Sequence, residues 1–104
     1  MITMNNRMAI AREFVEAITS DDIIKTLVFG SVARGDDTEE SDIDILIIIQ
    51  SDNHQFESMV DEKVVDFILE KEEVISPHVM TVDHFNKTKD YSFLKTVMAE
   101  GVDI

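Results

Sequence analysis

Residues 28–49 read VFGSVARGDDTEESDIDILIII, and this stretch decides the fold of the 104-residue chain. An apolar run of strand length leads into Gly30-Ser31, an acidic loop follows, and a second apolar run begins with Asp42 and Asp44. Residues i and i+2 of an extended segment point to the same face, so we expect the two carboxylates to lie on one side. Paired carboxylates in this arrangement suit a divalent metal ion.

The composition is that of an ordinary globular domain, with 44% hydrophobic and 30% charged residues. At this length we expect residues 1–104 to form a single domain. The net charge of −13 argues against direct binding to nucleic acid, which requires clustered Lys and Arg. The chain has no cysteine, which excludes disulfides and thiolate chemistry. Because no signal-peptide pattern and no apolar run near the ~20 residues of a membrane span occur, we expect a cytoplasmic protein without a membrane role.

Hydrophobic periodicity predicts the order helix, strand, strand, helix, strand, helix. The helices are expected over 6–19, 55–70 and from 92 to about 100, the strands over 23–29, 42–49 and 74–82, and short helical turns or loops over 31–35 and 83–90. Arg7 is placed on the outer face of the first helix. Ser92 is expected to cap the last helix, and Gly101 to end it at the C′ position.

The second strand carries apolar residues on both faces after Asp44, which is typical of a central strand covered by helices. Pro77 favours an edge position for the third strand, because proline has no backbone N–H to donate. The predicted fold class is therefore α/β (α+β), with a small mixed β-sheet of about three strands flanked by helices.

Two segments of the chain together resemble a known family. Gly30-Ser31 followed after ten residues by Asp42-Ile-Asp44 is similar to the signature of the DNA polymerase β-like nucleotidyltransferase superfamily. More closely, Phe29-Gly-Ser-Val-Ala-Arg-Gly35 with Ser41-Asp-Ile-Asp-Ile-Leu46 resembles the minimal nucleotidyltransferases, small prokaryotic proteins encoded beside HEPN-domain partners. The resemblance covers the whole chain and implies the polymerase β-like nucleotidyltransferase fold.

The resemblance implies an antitoxin that transfers AMP from ATP to a tyrosine hydroxyl of a HEPN ribonuclease toxin. Asp42 and Asp44 would be the catalytic and metal-binding residues, holding Mg²⁺, with two ions when nucleotide is bound. Gly30 lets the backbone approach a phosphate, and Ser31 can donate its hydroxyl and backbone N–H. Arg34 can pair with the triphosphate, although a surface salt bridge to the acidic loop explains it equally well.

The third strand departs from the family pattern. Active members carry a third carboxylate there, whereas this chain has Ile75-Ser-Pro-His-Val-Met-Thr81, with His78 at the corresponding position. A neutral imidazole can bind metal but is a poorer Mg²⁺ ligand than a carboxylate. The alternative is a strand histidine that faces solvent or is satisfied by a neighbour. Asp66 and Asp83 are other acids that folding could bring to the site.

Alternative functions therefore stay open. Without a third acid, the chain could be a nucleotidyltransferase-fold binding module that neutralises its partner by direct complex formation. A small-molecule nucleotidyltransferase is a further alternative. The sequence also leaves open whether the chain forms a homo-oligomer.

Overall fold

The computed structural model describes residues 6–104. The elements are α1 (Asn6–Ala17), β1 (Ile23–Phe29), α2 (Gly30–Arg34), β2 (Ile43–Ile49), α3 (His54–Lys71), β3 (Ile75–Thr81), α4 (Val82–Thr88), α5 (Ser92–Glu100) and β4 (Val102–Asp103). None of the helices within 6–104 is both long enough and apolar enough to cross a membrane.

The four strands form one mixed sheet in the order β3-β2-β1-β4. β1 runs antiparallel to β2 and β4, while β2 and β3 are parallel and are joined through α3. This confirms the predicted fold class, and β3 with Pro77 lies at the edge of the sheet. The sheet has one strand more than expected, because β4 is two residues long and too short to show a periodic pattern.

β2 lies in the interior of the sheet, as its sequence predicts. Its odd-numbered residues, Ile43 to Ile49, are buried in one core cluster with residues of α1 and α3, among them Phe14 and Phe67. Its other face contributes Leu46 and Ile48 to a second cluster with residues of β1 and α5. Only the beginning of this segment reaches solvent, which leaves Asp42 exposed and Asp44 half-buried.

Both ends of α5 differ from the prediction. Ser92 is the first residue of the helix and does not cap it; Tyr91 is at the N-cap position, and no side-chain hydrogen bond caps the first turn. Gly101 has φ −66°, which is not a left-handed conformation. Its lack of a side chain matters for packing instead, since a Cβ there would lie 2.6 Å from Leu27 Cδ1 and 2.7 Å from the carbonyl oxygen of Val97. This close approach lets β4 pair with β1.

Arg7 does not face solvent as the periodicity of α1 predicts. Its side chain is 13% exposed and forms an ion pair with Glu73, with Nη2 2.8 Å from Oε1. Nη1 donates a hydrogen bond to the carbonyl oxygen of Thr38 and lies 3.5 Å from Asp37 Oδ2. Arg7 therefore ties the acidic loop that precedes Asp42 to the segment between α3 and β3.

Candidate functional site

The antiparallel pairing of β1 and β2 brings the glycine-serine turn to the aspartates. Phe29 at the end of β1 lies opposite Asp44 near the start of β2. Gly30 has φ +74°, and a Cβ added to it would lie 2.5 Å from Asp44 Oδ2. Conformation and space both require glycine here. The turn predicted to bind phosphate and the carboxylate predicted to bind metal are therefore in direct contact.

Asp44 is the more buried of the two aspartates, with a side chain that is 29% exposed. Burial raises its pKa above the ordinary range; the His78 imidazole opposes this shift, and the negative charge of Asp42 adds to it. A bound cation would favour the ionised form of both carboxylates. The carboxylate oxygens of Asp42 and Asp44 are hard donors of the kind that Mg²⁺ prefers. The space beside Asp44 that a Cβ on Gly30 would fill is left open to a ligand.

His78 lies at the edge of this site, and the resemblance predicts a third carboxylate at its position. β3 pairs with β2 so that His78 is opposite Leu46, and its Nε2 lies 3.8 Å from Asp44 Oδ1. Its ring also packs against Phe29, with centroids 5.1 Å apart, and Phe93, at 5.8 Å. The 3.8 Å distance is too long for a hydrogen bond, and the His78 side chain is 37% exposed. Its role as a metal ligand therefore stays a prediction.

Three metal-binding side chains do not come together anywhere within residues 6–104. Asp66 and Asp83 form ion pairs with Lys63 and Lys87 along their own helices. A metal at Asp42 and Asp44 would therefore take its remaining ligands from nucleotide and water.

Arg34 lies beside the turn and is held by two acids. Its Nε lies 3.2 Å from Asp36 Oδ2, and its Nη1 lies 3.2 Å from Glu100 Oε1. Hydrogen bonds to Asp36 and then to Glu100 raise the pKa of Arg34. Arg34 therefore forms the salt bridge to the acidic loop that the sequence suggested. Its role in nucleotide binding stays a prediction.

Glu100 also reaches this turn, a contact that its position in the sequence does not predict. Its Oε1 accepts a hydrogen bond from the backbone N–H of Gly30 at 3.0 Å. A glutamate before a helix-ending glycine carries no local signal for a contact 70 residues away along the chain.

A pocket of about 360 Å³ adjoins Gly30 between β1 and α5. Its walls include the rings of Phe29 and Phe93, which meet edge to face at 5.8 Å, and Thr96 and Glu100 lie on its helical side. A larger cavity of about 790 Å³ lies around Arg7 and the acidic loop. That cavity is a poor candidate for phosphate, because Arg7 is already paired with Glu73 and Asp37, and Lys71, the other cation in its lining, pairs with Glu13. Glu39 and Glu72 add further negative charge to its walls.

The comparison with known families decides the assignment. Residues 9–103 match the family described as "Nucleotidyltransferase domain". The chain belongs to this family. The nucleotidyltransferase domain resembles two proteins of Methanocaldococcus jannaschii, each named "Putative protein adenylyltransferase". One is 43% identical over 101 residues, covering 94% of this chain and 96% of the relative. The other is 32% identical over 99 residues, covering 91% and 95%.

Solved structures share the fold of this nucleotidyltransferase domain. A "putative nucleotidyltransferase" from Sulfolobus solfataricus superposes with a TM-score of 0.62 at 22% identity, over 94% of this chain and 78% of the other. A chain from the crystal structure described as "the toxin-antitoxin with AMP-PNP" has a TM-score of 0.57 at 15% identity, over 97% and 72%.

Proposed function

We propose that this protein is an Mg²⁺-dependent protein adenylyltransferase that transfers AMP from ATP to a tyrosine hydroxyl of a HEPN ribonuclease toxin, and so acts as its antitoxin in the cytoplasm. The observation that carries the proposal is the contact between the Gly30 turn and Asp44 within a member of the nucleotidyltransferase domain family. The names of the two relatives support protein as the acceptor, and the toxin-antitoxin neighbour supports a toxin partner.

In the proposed reaction, the acceptor oxygen forms a bond to the α-phosphorus of ATP as the bond from that phosphorus to pyrophosphate breaks, and the hydroxyl proton leaves to solvent. Mg²⁺ held by Asp42 and Asp44 would supply neutralisation of the charge on the phosphates. The backbone of Gly30 admits a phosphate at close range, and Ser31 and Arg34 donate hydrogen bonds to it. The pocket beside Gly30 has the volume and the aromatic wall that suit the nucleobase.

Electrostatics also favours a protein partner of opposite charge. With a net charge of −13, the chain would be steered toward a basic RNA-binding face of a ribonuclease. The same charge argues against nucleic acid as a direct ligand. Acceptor specificity would then come from the docked partner.

The decisive experiment incubates the purified chain with ATP, Mg²⁺ and its HEPN partner, followed by intact-mass spectrometry of the partner. We expect a gain of one or more AMP units. The matched control is the Asp42→Asn, Asp44→Asn double variant, which keeps side-chain volume but removes both negative charges. This variant should show no mass gain and should fail to neutralise the toxin.

A binding module is the second candidate, and the observation favouring it is the imidazole of His78 where a third carboxylate would stand. In that case the partner would form a stable complex without gaining mass. The double Asp→Asn variant would then neutralise the toxin as well as the wild type does.

A further inference from the structure

Glu100 joins the last helix of the protein to the turn proposed to bind phosphate. Its Oε1 accepts hydrogen bonds from Gly30 N–H at 3.0 Å and from Arg34 Nη1 at 3.2 Å, and Arg34 Nη1 also lies 3.2 Å from its Oε2. The Glu100 side chain is 21% exposed. One carboxylate therefore restrains Gly30 and Arg34, two of the three residues proposed to contact the phosphates of the nucleotide.

The backbone around Glu100 is itself held against the sheet. Gly101 N–H donates a 2.8 Å hydrogen bond to Val97, and the space beside Gly101 is filled by Leu27 of β1. The next residue, Val102, pairs with Val28 in the β1–β4 ladder. Since β1 also pairs with β2, the hydrogen-bonded sheet fixes the position of Glu100 relative to that of Asp44.

The peptide that Glu100 holds is the one that lies against the metal-binding carboxylate. A Cβ on Gly30 would stand 2.5 Å from Asp44 Oδ2, so a small rotation of this peptide changes the gap between the turn and Asp44. We propose that Glu100 is a positioning residue for nucleotidyl transfer, which fixes the Gly30 peptide and the Arg34 guanidinium at the distance from Asp44 that the bound nucleotide requires. This inference rests on the function proposed above.

Glu100 can keep its contacts while a nucleotide is bound. Arg34 donates a hydrogen bond from Nε to Asp36 and hydrogen bonds from Nη1 to Glu100, whereas its Nη2 makes no hydrogen bond with residues 6–104. A guanidinium has five N–H donors in a planar fork, so Nε and Nη1 can be held by protein while the two Nη2 donors are presented to a phosphate. A competing arrangement, in which ATP displaces the Glu100 carboxylate, would require the bonds to both Gly30 and Arg34 to break.

The test compares Glu100→Ala with Glu100→Gln, which keeps an oxygen acceptor for Gly30 N–H. Glu73→Ala is the matched control, because Glu73 is 15% exposed and also pairs with an arginine, but lies in the Arg7 cluster. The measurements are kcat and KM for ATP at a temperature where every variant is folded, Mg²⁺-ATP affinity by calorimetry, and hydrogen exchange at the Gly30 amide.

For Glu100→Ala we expect kcat to fall about 10- to 100-fold, more than KM rises, with faster exchange at the Gly30 amide. Glu100→Gln should restore kcat to within about 3-fold of the wild type and keep the amide protected, since its carbonyl can accept the Gly30 hydrogen bond. Glu73→Ala should leave kcat unchanged even where it lowers stability.

The proposal is overturned if Glu100→Ala retains wild-type kcat, or if Glu100→Gln is as impaired as Glu100→Ala. Tighter Mg²⁺-ATP binding in both variants would also overturn it, because it would show that the carboxylate competes with phosphate. If the wild type transfers no nucleotide, the proposed function fails separately. In that case the hydrogen-exchange rate of the Gly30 amide still tests whether Glu100 restrains the turn. An unchanged rate in Glu100→Ala would show that it does not.

Discussion

Replacing Gly30 with alanine tests the contact on which the proposed site depends. Two separate costs are expected. Gly30 has φ +74°, a left-handed conformation that costs a residue with a Cβ about 1–2 kcal/mol. The new Cβ would also stand 2.5 Å from Asp44 Oδ2, so the carboxylate must move. Gly35 provides a matched control, because its φ is +82° and an added Cβ would meet nothing within 4 Å.

Gly35→Ala should carry the conformational cost alone. We expect its free energy of unfolding to fall by about 1 kcal/mol, which corresponds to about 4–8 °C in Tm for a domain of this size, with transfer unchanged. Gly30→Ala should lose at least as much stability, and its transfer rate should fall about 100-fold, because a carboxylate displaced by about 1 Å no longer holds the reacting groups in register.

The assays are urea denaturation in metal-free buffer, Mn²⁺ binding by electron paramagnetic resonance, and AMP transfer to the partner protein. Gly30→Ala should bind Mn²⁺ more weakly than Gly35→Ala at temperatures where both are folded. Equal losses of stability, Mn²⁺ affinity and transfer in the two variants would show that contact with Asp44 adds nothing to the conformational cost.

Three other substitutions probe the site. Asp44→Asn should abolish transfer yet stabilise the metal-free fold at pH 7. Burial raises the pKa of Asp44, so the wild-type fold is stabilised when this carboxyl is protonated. That stabilisation is present below the ordinary pKa of about 3.9 and is lost as the pH rises through the raised pKa, whereas asparagine stays neutral throughout. Urea titrations should show this advantage vanish below about pH 4, and an equal advantage at both pH values would contradict it. His78→Asp would add a carboxylate beside Asp44 and should lower the Mg²⁺ concentration for half-maximal transfer severalfold; an unchanged Mg²⁺ titration would exclude a ligand at this position. Phe93→Ala should weaken ATP binding about 5- to 100-fold but spare tripolyphosphate, because the ring would stack on the base. Calorimetry decides this last case, with Tyr91→Ala as an exposed aromatic control, and equal losses for both ligands would count against a base pocket.

Local pattern was enough to predict most of the architecture. The two-faced apolar run of β2 indicates a central strand, because only a strand covered on both sides can bury such residues. Pro77 indicates an edge for a similarly local reason. The two-residue β4 and the packing role of Gly101 escaped prediction, since both depend on contacts with β1 rather than on their own sequence.

The site divides in the same way. The amino-acid pattern was enough to predict that Gly30 and Ser31 follow one strand and that Asp42 and Asp44 stand at the beginning of the next, because each apolar run has the length and composition of a strand. Three contacts follow from the folded structure alone: Gly30 lies against Asp44, His78 lies 3.8 Å from that carboxylate, and Glu100 accepts a hydrogen bond from Gly30 N–H across 70 residues of chain. These contacts depend on the register of the sheet and on the position at which α5 ends beside β1. The spacing of residues along the sequence predicts neither.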